Sequence, residues 1–207
     1  MEVFIGADPR QPIAAAVLAH SISVRSSLPV KITRLHLNQL PITRVGLTQF
    51  TYARFLVPYL CGFHGPALFL DADMLCLGDI ADLFDLADGS AVQVVKNKRH
   101  FEWPSMMLFN CGKLKTLTPE YVQSDEKLFA LNWAQEIGEL PPWWNHLVGY
   151  DPPQNAQLVH FTKGIPVWPE TEGCEYADRW HYDRKAMMST CGFQELMGNS
   201  RHYPKGA

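Results

Sequence analysis

Short apolar runs and helically spaced apolar residues alternate along the N-terminal part of the chain. Residues 2–6 form a compact apolar run, and residues 13–24, which follow a proline at position 12, repeat their apolar positions with the period of a helix. Residues 30–35 alternate between apolar and polar side chains, as a strand does. A strand, a helix and a second strand in this order are typical of a parallel sheet, so the pattern predicts an α/β protein.

The rest of the chain continues this alternation. Further strands are predicted at residues 67–70, 91–95, 105–109 and 157–161, and further helices at residues 48–60, 78–84 and 174–188, with another helix beginning at Thr118 and Pro119. The proline- and aromatic-rich residues 133–149 predict an ordered loop. No internal repeat divides the sequence. We therefore expect one domain over residues 1–207, in which residues 174–207 supply a closing helix and a frayed tail.

The composition excludes several classes of protein. The chain has 207 residues, of which 47% are hydrophobic and 19% are charged, as expected for one soluble globular domain. A formal net charge of −3 argues against a nucleic-acid-binding protein, which would present a basic face. No apolar stretch is long enough to cross a membrane, and the N-terminus lacks the pattern of a signal peptide. The 5 cysteines have no Cys-x-x-Cys spacing, which favours reduced thiols and a cytoplasmic location.

Two aspartates stand directly after the apolar run of residues 67–70. A buried strand cannot end in charged groups without cost, so Asp71 and Asp73 must reach water, a cation or a hydrogen-bond donor. The carboxyl ends of strands in open α/β sheets are also where ligands bind. Carboxylate oxygens there favour a divalent cation, which could neutralise a bound phosphate. The alternative is a pair of turn or helix-capping aspartates ahead of Gly78 and Asp79.

Other side chains could complete such a site. His160 ends an apolar run, where a neutral imidazole could be a third ligand or a hydrogen-bonded structural residue. The small-residue turn of Gly6, Ala7 and Asp8 would let backbone groups approach a nucleotide, although it has neither a GxGxxG nor a Walker A sequence, and a plain turn is the alternative. Arg54 lies among apolar residues, so its guanidinium needs a partner such as the acidic pair or a phosphate, unless it lies at the surface.

Amide and aromatic side chains are candidates for sugar binding. Asn110 closes a predicted strand, and Asn145 follows Trp143 and Trp144 in the proline-rich segment. Amides hydrogen-bond to hydroxyl groups, and aromatic rings cover the apolar faces of sugars. Packing in the core is the alternative for the tryptophans.

These features occur in the order found in one family of enzymes. The matching segments are the first strand and turn (4–8), a Tyr-x-Arg helix (52–55), the strand with its Asp-x-Asp (67–73), a Phe-Asn-x-Gly segment (109–112) and a Leu-Pro…Trp-Asn segment (140–145). Over residues 2–168 the chain resembles glycosyltransferase family 8, which includes glycogenin and bacterial lipopolysaccharide galactosyltransferases.

The resemblance implies a fold, an activity and a set of site residues. The fold would be GT-A, with a mostly parallel, mixed central sheet flanked by helices. The activity would be retaining transfer of a sugar from a nucleotide donor such as a UDP-sugar to a glycan, a lipid-linked glycan or a protein, with Mn²⁺ or Mg²⁺ as cofactor. The metal would be held by Asp71, Asp73 and His160. The nucleotide would lie near Gly6, Ala7, Asp8, Arg54, Asp71, Ala72, Lys163 and Gly164, and the donor sugar near Asn110 and Asn145.

Two segments depart from the family pattern. The family's His-x-x-Gly-x-x-Lys-Pro-Trp segment keeps its length from His160 to Trp168, but the glycine is displaced by one position and the lysine by three, giving Gly164 and Lys163. The family's Asp-Gln-Asp segment has Gln135 as its nearest counterpart, which makes Gln135 the candidate catalytic residue. Two alternatives stay open: a phosphohydrolase of the haloacid dehalogenase type, and a nucleotide-sugar-binding module without turnover.

Overall fold

A computed structural model describes residues 1–189 and residue 197. The strands are β1 (Glu2–Gly6), β2 (Lys31–Leu35), β3 (Pro66–Leu70), β4 (Met74–Cys76), β5 (Val92–Val94), β6 (Met106–Asn110), β7 (Ile137–Glu139), β8 (His146–Leu147) and β9 (Leu158–His160). The α-helices are α1 (Pro12–Arg25), α2 (Val57–Leu60), α3 (Ile80–Asp85), α4 (Pro119–Ser124) and α5 (Ala177–Met188).

The central sheet has six strands in the order β2-β1-β3-β6-β5-β7. The pairs β1–β2, β1–β3 and β5–β7 are parallel, whereas β6 runs antiparallel to both of its neighbours. In register, Leu70 pairs with Ile5 on one side and with Met106 on the other. The last residues of β1, β3 and β5 and the first residue of β6 therefore meet at one end of the sheet, which we term the carboxyl end. The opposite, amino end holds Pro66, which pairs with Asn110.

A second sheet of three strands, in the order β4-β9-β8, lies beyond the carboxyl end of β3. Its β4 is separated from the end of β3 by three residues and runs antiparallel to β9, with Met74 opposite His160. The backbone N–H of Phe161 also donates to the carbonyl of Asp73 at 2.9 Å. This register places the histidine beside the acidic pair.

One part of the core lies where α1 packs against β4 and β1. Val17, Leu18 and Ile22 of α1 are fully buried, as are the apolar residues of β3. The closing helix α5 packs against α1 through a buried ion pair, in which Arg25 Nη2 lies 2.9 Å from Asp183 Oδ2. Within the described residues, no helix is long and apolar enough to cross a membrane.

The structure confirms most predicted elements but corrects one helix. Residues 48–60 do not form a continuous helix, because Pro58 has no N–H to donate within it and its ring would clash with the preceding turn. Turns lead instead to a 3₁₀ segment at Ala53–Leu56 and to the single turn of α2. The short strand β4 was not predicted, and the predicted loop at 133–149 contains β7, a 3₁₀ turn at Pro142–Trp144 and β8. The predicted tail at 199–207 lies outside the described residues.

Candidate active site

Asp71, Asp73 and His160 converge just beyond the carboxyl end of the central sheet. One ligand atom from each lies within 4.8 Å of the other two, and Asp73 Oδ1 is 3.4 Å from His160 Nε2. His160 is buried, whereas about a third of the Asp73 side chain is exposed. The cluster is therefore open to solvent on the Asp73 side and enclosed on the other. An ion held on the enclosed side would keep coordination positions free for a ligand on the open side.

Arg54 forms a buried ion pair with Asp71, the first aspartate of the acidic pair. Its Nη2 lies 3.0 Å from Asp71 Oδ1, and both side chains are largely buried, with 8% and 14% exposed. The same guanidinium donates to the carbonyl of Pro104 at 2.8 Å and to the carbonyl of Thr51 at 3.0 Å. Its donors are thus directed to one carboxylate and two backbone carbonyls. Arg54 is the partner of the acidic pair, one of the two roles expected from the sequence.

The backbone of Asp71 is fixed by the segment that precedes β6. Its N–H donates to the carbonyl of Ser105 at 2.8 Å, and the Ser105 hydroxyl accepts a 3.0 Å hydrogen bond from Asn145 Nδ2. Asn145 is fully buried, and its Oδ1 has no hydrogen-bond partner in the described part of the chain. The structure thus brings Asn145 to the predicted site, together with Pro104 and Ser105, which sequence reasoning missed.

The ionisation of the cluster reflects burial and crowding of charge. Burial raises the pKa of Asp71 to about 7, and the nearby Asp73 charge adds to this effect, although Arg54 opposes it. Burial alone would lower the pKa of His160, but the charges of Asp73 and Asp71 outweigh it and raise that pKa. When no cation is bound, the cluster therefore retains bound protons near neutral pH, which reduce its excess negative charge. A divalent cation could replace them.

The residues present fit a divalent metal ion. Two carboxylates and one imidazole form a donor set that suits Mn²⁺ and also Mg²⁺. Buried His160 Nδ1 and Asn145 Oδ1 both lack protein partners among the described residues, so the site retains unused polar atoms. Asp71, Asp73 and His160 are the residues that could hold the ion.

The turn after β1 lies beside this cluster. Asp8, Ala72 and Asp73 line one cleft of about 150 Å³, together with Phe50 and Arg10. Phe50 packs so closely on Gly6 that a Cβ added at Gly6 would lie 2.3 Å from its ring. Only glycine, which has no Cβ, leaves room at position 6 for the Phe50 ring. The structure therefore brings Asp8 of the predicted turn and Asp73 of the predicted metal ligands to one cleft.

Asp8 is held in place by its own loop. Its carboxylate forms an ion pair with Arg10 at 2.7 Å and accepts the N–H of Gln49 at 3.4 Å. Burial would raise the pKa of Asp8, but the hydrogen bonds and charge of Arg10 outweigh it and lower that pKa. Asp8 therefore presents a fixed negative charge at the cleft, with a half-exposed guanidinium beside it.

Lys163 and Gly164 line a separate cleft of about 500 Å³ beyond β9. The Lys163 ammonium lies 5.1 Å from the centre of the Tyr150 ring. Gly164 adopts a φ of +109°, which favours glycine. These two residues follow His160 closely in the chain, and their predicted contact with the nucleotide stays a prediction.

Asn110 and Gln135 are the two predicted site residues that the structure places elsewhere. Asn110 ends β6 and pairs with Pro66, at the amino end of the sheet, because β6 is antiparallel to β3. Gln135 is exposed just before β7, which runs parallel to β5 and so begins at the same amino end. The structure therefore does not bring Asn110 or Gln135 to the cluster and gives no support to Asn110 beside the donor sugar or to Gln135 as the catalytic residue, since a full strand length separates both from Asp71.

Comparison with known proteins decides the family. The sequence profile described as "Glycosyl transferase family 8" matches residues 14–127, more than half of the chain. The chain belongs to glycosyl transferase family 8. A curated relative, Protein CDI of Arabidopsis thaliana, is 37% identical over 220 residues, which span 86% of this chain and 83% of the relative. Membership makes the chain a glycosyltransferase and does not support the phosphohydrolase alternative.

Solved structures show the same fold at low sequence identity. The WbbM bifunctional glycosyltransferase superposes with a TM-score of 0.67 at 15% identity, over 89% of this chain and 49% of that chain. The galactosyltransferase LgtC, solved with donor and acceptor sugar analogues, gives 0.62 at 13% identity, over 90% and 96%. GlyE of Streptococcus pneumoniae TIGR4 gives 0.65 at 16% identity, over 91% and 62%. The fold is GT-A, and this chain spans about half the length of the WbbM chain.

Proposed function

We propose that this family 8 glycosyltransferase uses a divalent cation, Mn²⁺ or Mg²⁺, to transfer a sugar from a UDP-sugar with retention of configuration. The observation that carries the proposal is the convergence of Asp71, Asp73 and His160 within 4.8 Å, beside the cleft that the turn after β1 also lines. A nucleoside diphosphate has both a base-bearing end and a charged end. The base-bearing end would lie at the turn after β1, and the charged diphosphate would lie at the cation site.

The side chains around the cluster would keep the diphosphate and the cation aligned. Asp71 and Asp73 would hold the cation, and Arg54 would keep the Asp71 carboxylate in one orientation through its 3.0 Å ion pair. When bound, the cation would neutralise the charge of the departing diphosphate as a Lewis acid. Asp73, which is the more exposed carboxylate, lies where the phosphates would arrive.

The donor sugar would lie near Asn145, at the carboxyl end of the sheet. Asn145 Oδ1 is buried and lacks a partner within the described residues, and its Nδ2 is held by Ser105. A fixed amide with an unused acceptor could receive a sugar hydroxyl. The proposed compartment is the cytoplasm, which is consistent with the free thiols of Cys61, Cys76, Cys111 and Cys174.

Metal-dependent hydrolysis of UDP-sugars, which needs no known acceptor, tests the proposal. Purified protein would be incubated with UDP-glucose, UDP-galactose and other UDP-sugars, with Mn²⁺, with Mg²⁺ or with a chelator, and released UDP would be measured. We expect release that depends on the cation and that falls at least a hundredfold in Asp73→Asn. Asp82→Asn, which removes an exposed carboxylate from α3, is the matched control and should behave as the wild type.

The same assay separates the competing functions. Release that persists with the chelator, or that is unchanged in Asp73→Asn, would refute a metal-dependent transferase. Cation-dependent binding of a UDP-sugar, seen as a rise in melting temperature without any release of UDP, would instead favour a binding module without turnover.

A further inference from the structure

A third cleft, larger than the two described above, opens at the carboxyl end of the sheet. It has a volume of about 890 Å³ and is lined by the segment after β5 and by the loop after β8, including Val95, Lys96, Lys98, Arg99, Tyr150 and Gln154. None of these residues was predicted to be functional. We term it the basic cleft.

The basic cleft is joined to the candidate active site by the backbone. Because β6 is antiparallel to both β3 and β5, the chain leaves β5 at the end of the sheet where Asp71 lies. Trp103 Nε1 donates a 2.9 Å hydrogen bond to the carbonyl of Asn97 in this segment. Trp103 directly precedes Pro104 and Ser105, whose carbonyls bind Arg54 and Asp71. The lining of the basic cleft is thus hydrogen-bonded to the residue that directly precedes the segment bound to Arg54 and Asp71.

Cations predominate on the lining of this cleft. Lys96, Lys98 and Arg99 place three positive charges within four residues, and all three side chains are exposed. The Arg99 guanidinium lies 3.5 Å from the centre of the Tyr150 ring, which holds it against the wall of the cleft. In the described part of the chain, neither lysine forms an ion pair within 4.0 Å. The lysine charges are therefore available to an anionic ligand.

The acidic residues of the cleft do not cancel this charge. Asp151 and Glu139 are the carboxylates on the lining, against the three cations. Asp151 Oδ2 accepts a hydrogen bond from the backbone N–H of Leu147 at 2.8 Å, so this carboxylate already stabilises the loop after β8. The protein as a whole has a net charge of the opposite sign, −3, so this local excess of positive charge would draw an anionic ligand to the cleft.

We propose that the basic cleft binds the acceptor and that the acceptor is an anionic glycan, with a carboxylate or a phosphate group on or next to the sugar that receives the transferred residue. Lys96 and Lys98 contact the anionic group, and Arg99, fixed on Tyr150, orients it. The inference deepens the proposed function and rests on it, because the cleft is an acceptor site only if the neighbouring cluster holds a donor. Charge-assisted hydrogen bonds to lysine and arginine are the contacts by which proteins recognise such groups.

Paired monosaccharide probes test the inference without a known acceptor. Methyl glucuronide differs from methyl glucoside by a carboxylate, and glucose 6-phosphate differs from glucose by a phosphate. Their binding would be measured by ligand-observed NMR titration in the presence of Mn²⁺ and UDP. We expect at least one anionic probe to bind about tenfold more tightly than its neutral partner, with the preference weakening as salt is added. The probe that shows the preference distinguishes a uronate from a phosphate.

Two double variants locate the binding. Lys96→Ala/Lys98→Ala should abolish the preference for the anionic probe. Lys113→Ala/Lys115→Ala removes two exposed lysines that follow β6 at the amino end of the sheet, and it should keep the preference. Circular dichroism melting curves check that both variants fold.

Three results would overturn the inference. The first is equal binding of the anionic and neutral probes. The second is a preference for the anionic probe that survives Lys96→Ala/Lys98→Ala. The third is a loss of UDP affinity in that variant as large as its loss of affinity for the anionic probe, which would assign the lysines to the donor diphosphate. The proposed function fails by a different result. If the wild type keeps the anionic preference but shows no cation-dependent UDP binding, the anion site stands and the donor assignment is refuted.

Discussion

The buried ion pair between Arg54 and Asp71 provides the sharpest prediction about the candidate active site. The substitution Arg54→Met removes the guanidinium but keeps an apolar stem among the rings of Phe50, Phe69 and Phe129, each of which lies within 5.6 Å of the Arg54 guanidinium carbon. Asp71 is then left buried without its cation. We expect a destabilised protein whose deficit depends on pH.

The magnitude follows from the geometry and from the pKa of Asp71. Two opposite charges 3.0 Å apart attract by about 5 kcal/mol at an effective dielectric constant of about 20, and breaking such a buried pair typically costs about 3–5 kcal/mol. This cost applies above pH 7, where Asp71 is ionised. Below pH 7 the carboxyl is protonated, so the variant loses mainly the hydrogen bonds to Thr51 and Pro104, worth about 1.5–3 kcal/mol.

The sign of the pH dependence follows from linkage. The pKa of Asp71 is raised from 3.8 to about 7 in the folded protein, so neutral Asp71 favours folding. Its contribution to stability is complete below about pH 4 and is lost as the pH rises through about 7. Arg54 limits that loss in the wild type, because it stabilises the ionised form. The free-energy difference between wild type and Arg54→Met should therefore widen from pH 5.5 to pH 8.

Urea unfolding at pH 5.5 and pH 8, without divalent cations, measures this difference. The double variant Arg54→Met/Asp71→Asn is the control, because it removes the unpaired carboxylate and should recover about 1–3 kcal/mol of stability at pH 8 relative to Arg54→Met. A deficit that is the same at both pH values, or a double variant that is less stable than Arg54→Met at pH 8, would refute the assigned ion pair.

Three further predictions concern the cleft and the two ends of the sheet. Because Asp71, whose pKa is about 7, must be ionised and His160, whose pKa is raised, must be neutral to bind a metal ion, the affinity for Mn²⁺ measured by calorimetry should rise by at least about tenfold per pH unit from pH 5 to 7 and then flatten; no change over this range would contradict the role of these ligands. Gly6→Ala should lower the free energy of unfolding by about 1–3 kcal/mol, because the new Cβ would lie 2.3 Å from the Phe50 ring; a neutral result in urea unfolding would show that the ring can move freely. Asn110→Ala and Gln135→Ala should retain wild-type affinity for UDP with Mn²⁺ in a thermal-shift titration, since both residues lie at the amino end, and a tenfold loss in either would contradict the strand directions.

The position of the two aspartates at the candidate site could be predicted from the sequence because the signals are local. Two charged residues directly after a run of buried apolar residues require a partner, whatever the rest of the fold does. The pairing of Met74 with His160 could not be predicted, because the strand that carries it, β4, has only three residues and no distinctive pattern. His160 was a candidate third ligand both from its place at the end of an apolar run and from the family resemblance, and the register of two short strands explains its position.

The positions of Asn110 and Gln135 depend on strand direction, which alternation of apolar and polar residues does not encode. If β6 ran parallel to β3, Asn110 would lie at the carboxyl end. The structure has the antiparallel arrangement, and the residues before β6 reach the site instead. Pro104 and Ser105 contribute through their backbone carbonyls, which no side-chain motif reveals. The same reversal brings the segment after β5 to the carboxyl end and so creates the basic cleft.

Anomalous diffraction at the manganese absorption edge, from crystals grown with MnCl₂ and UDP, tests the central claim most directly. The account predicts one strong peak bonded to the side chains of Asp71, Asp73 and His160, with the UDP phosphates beside it and its nucleoside toward the turn of Gly6 to Asp8. A peak at another position, or UDP bound in the cleft with no manganese peak at these three residues, would contradict it.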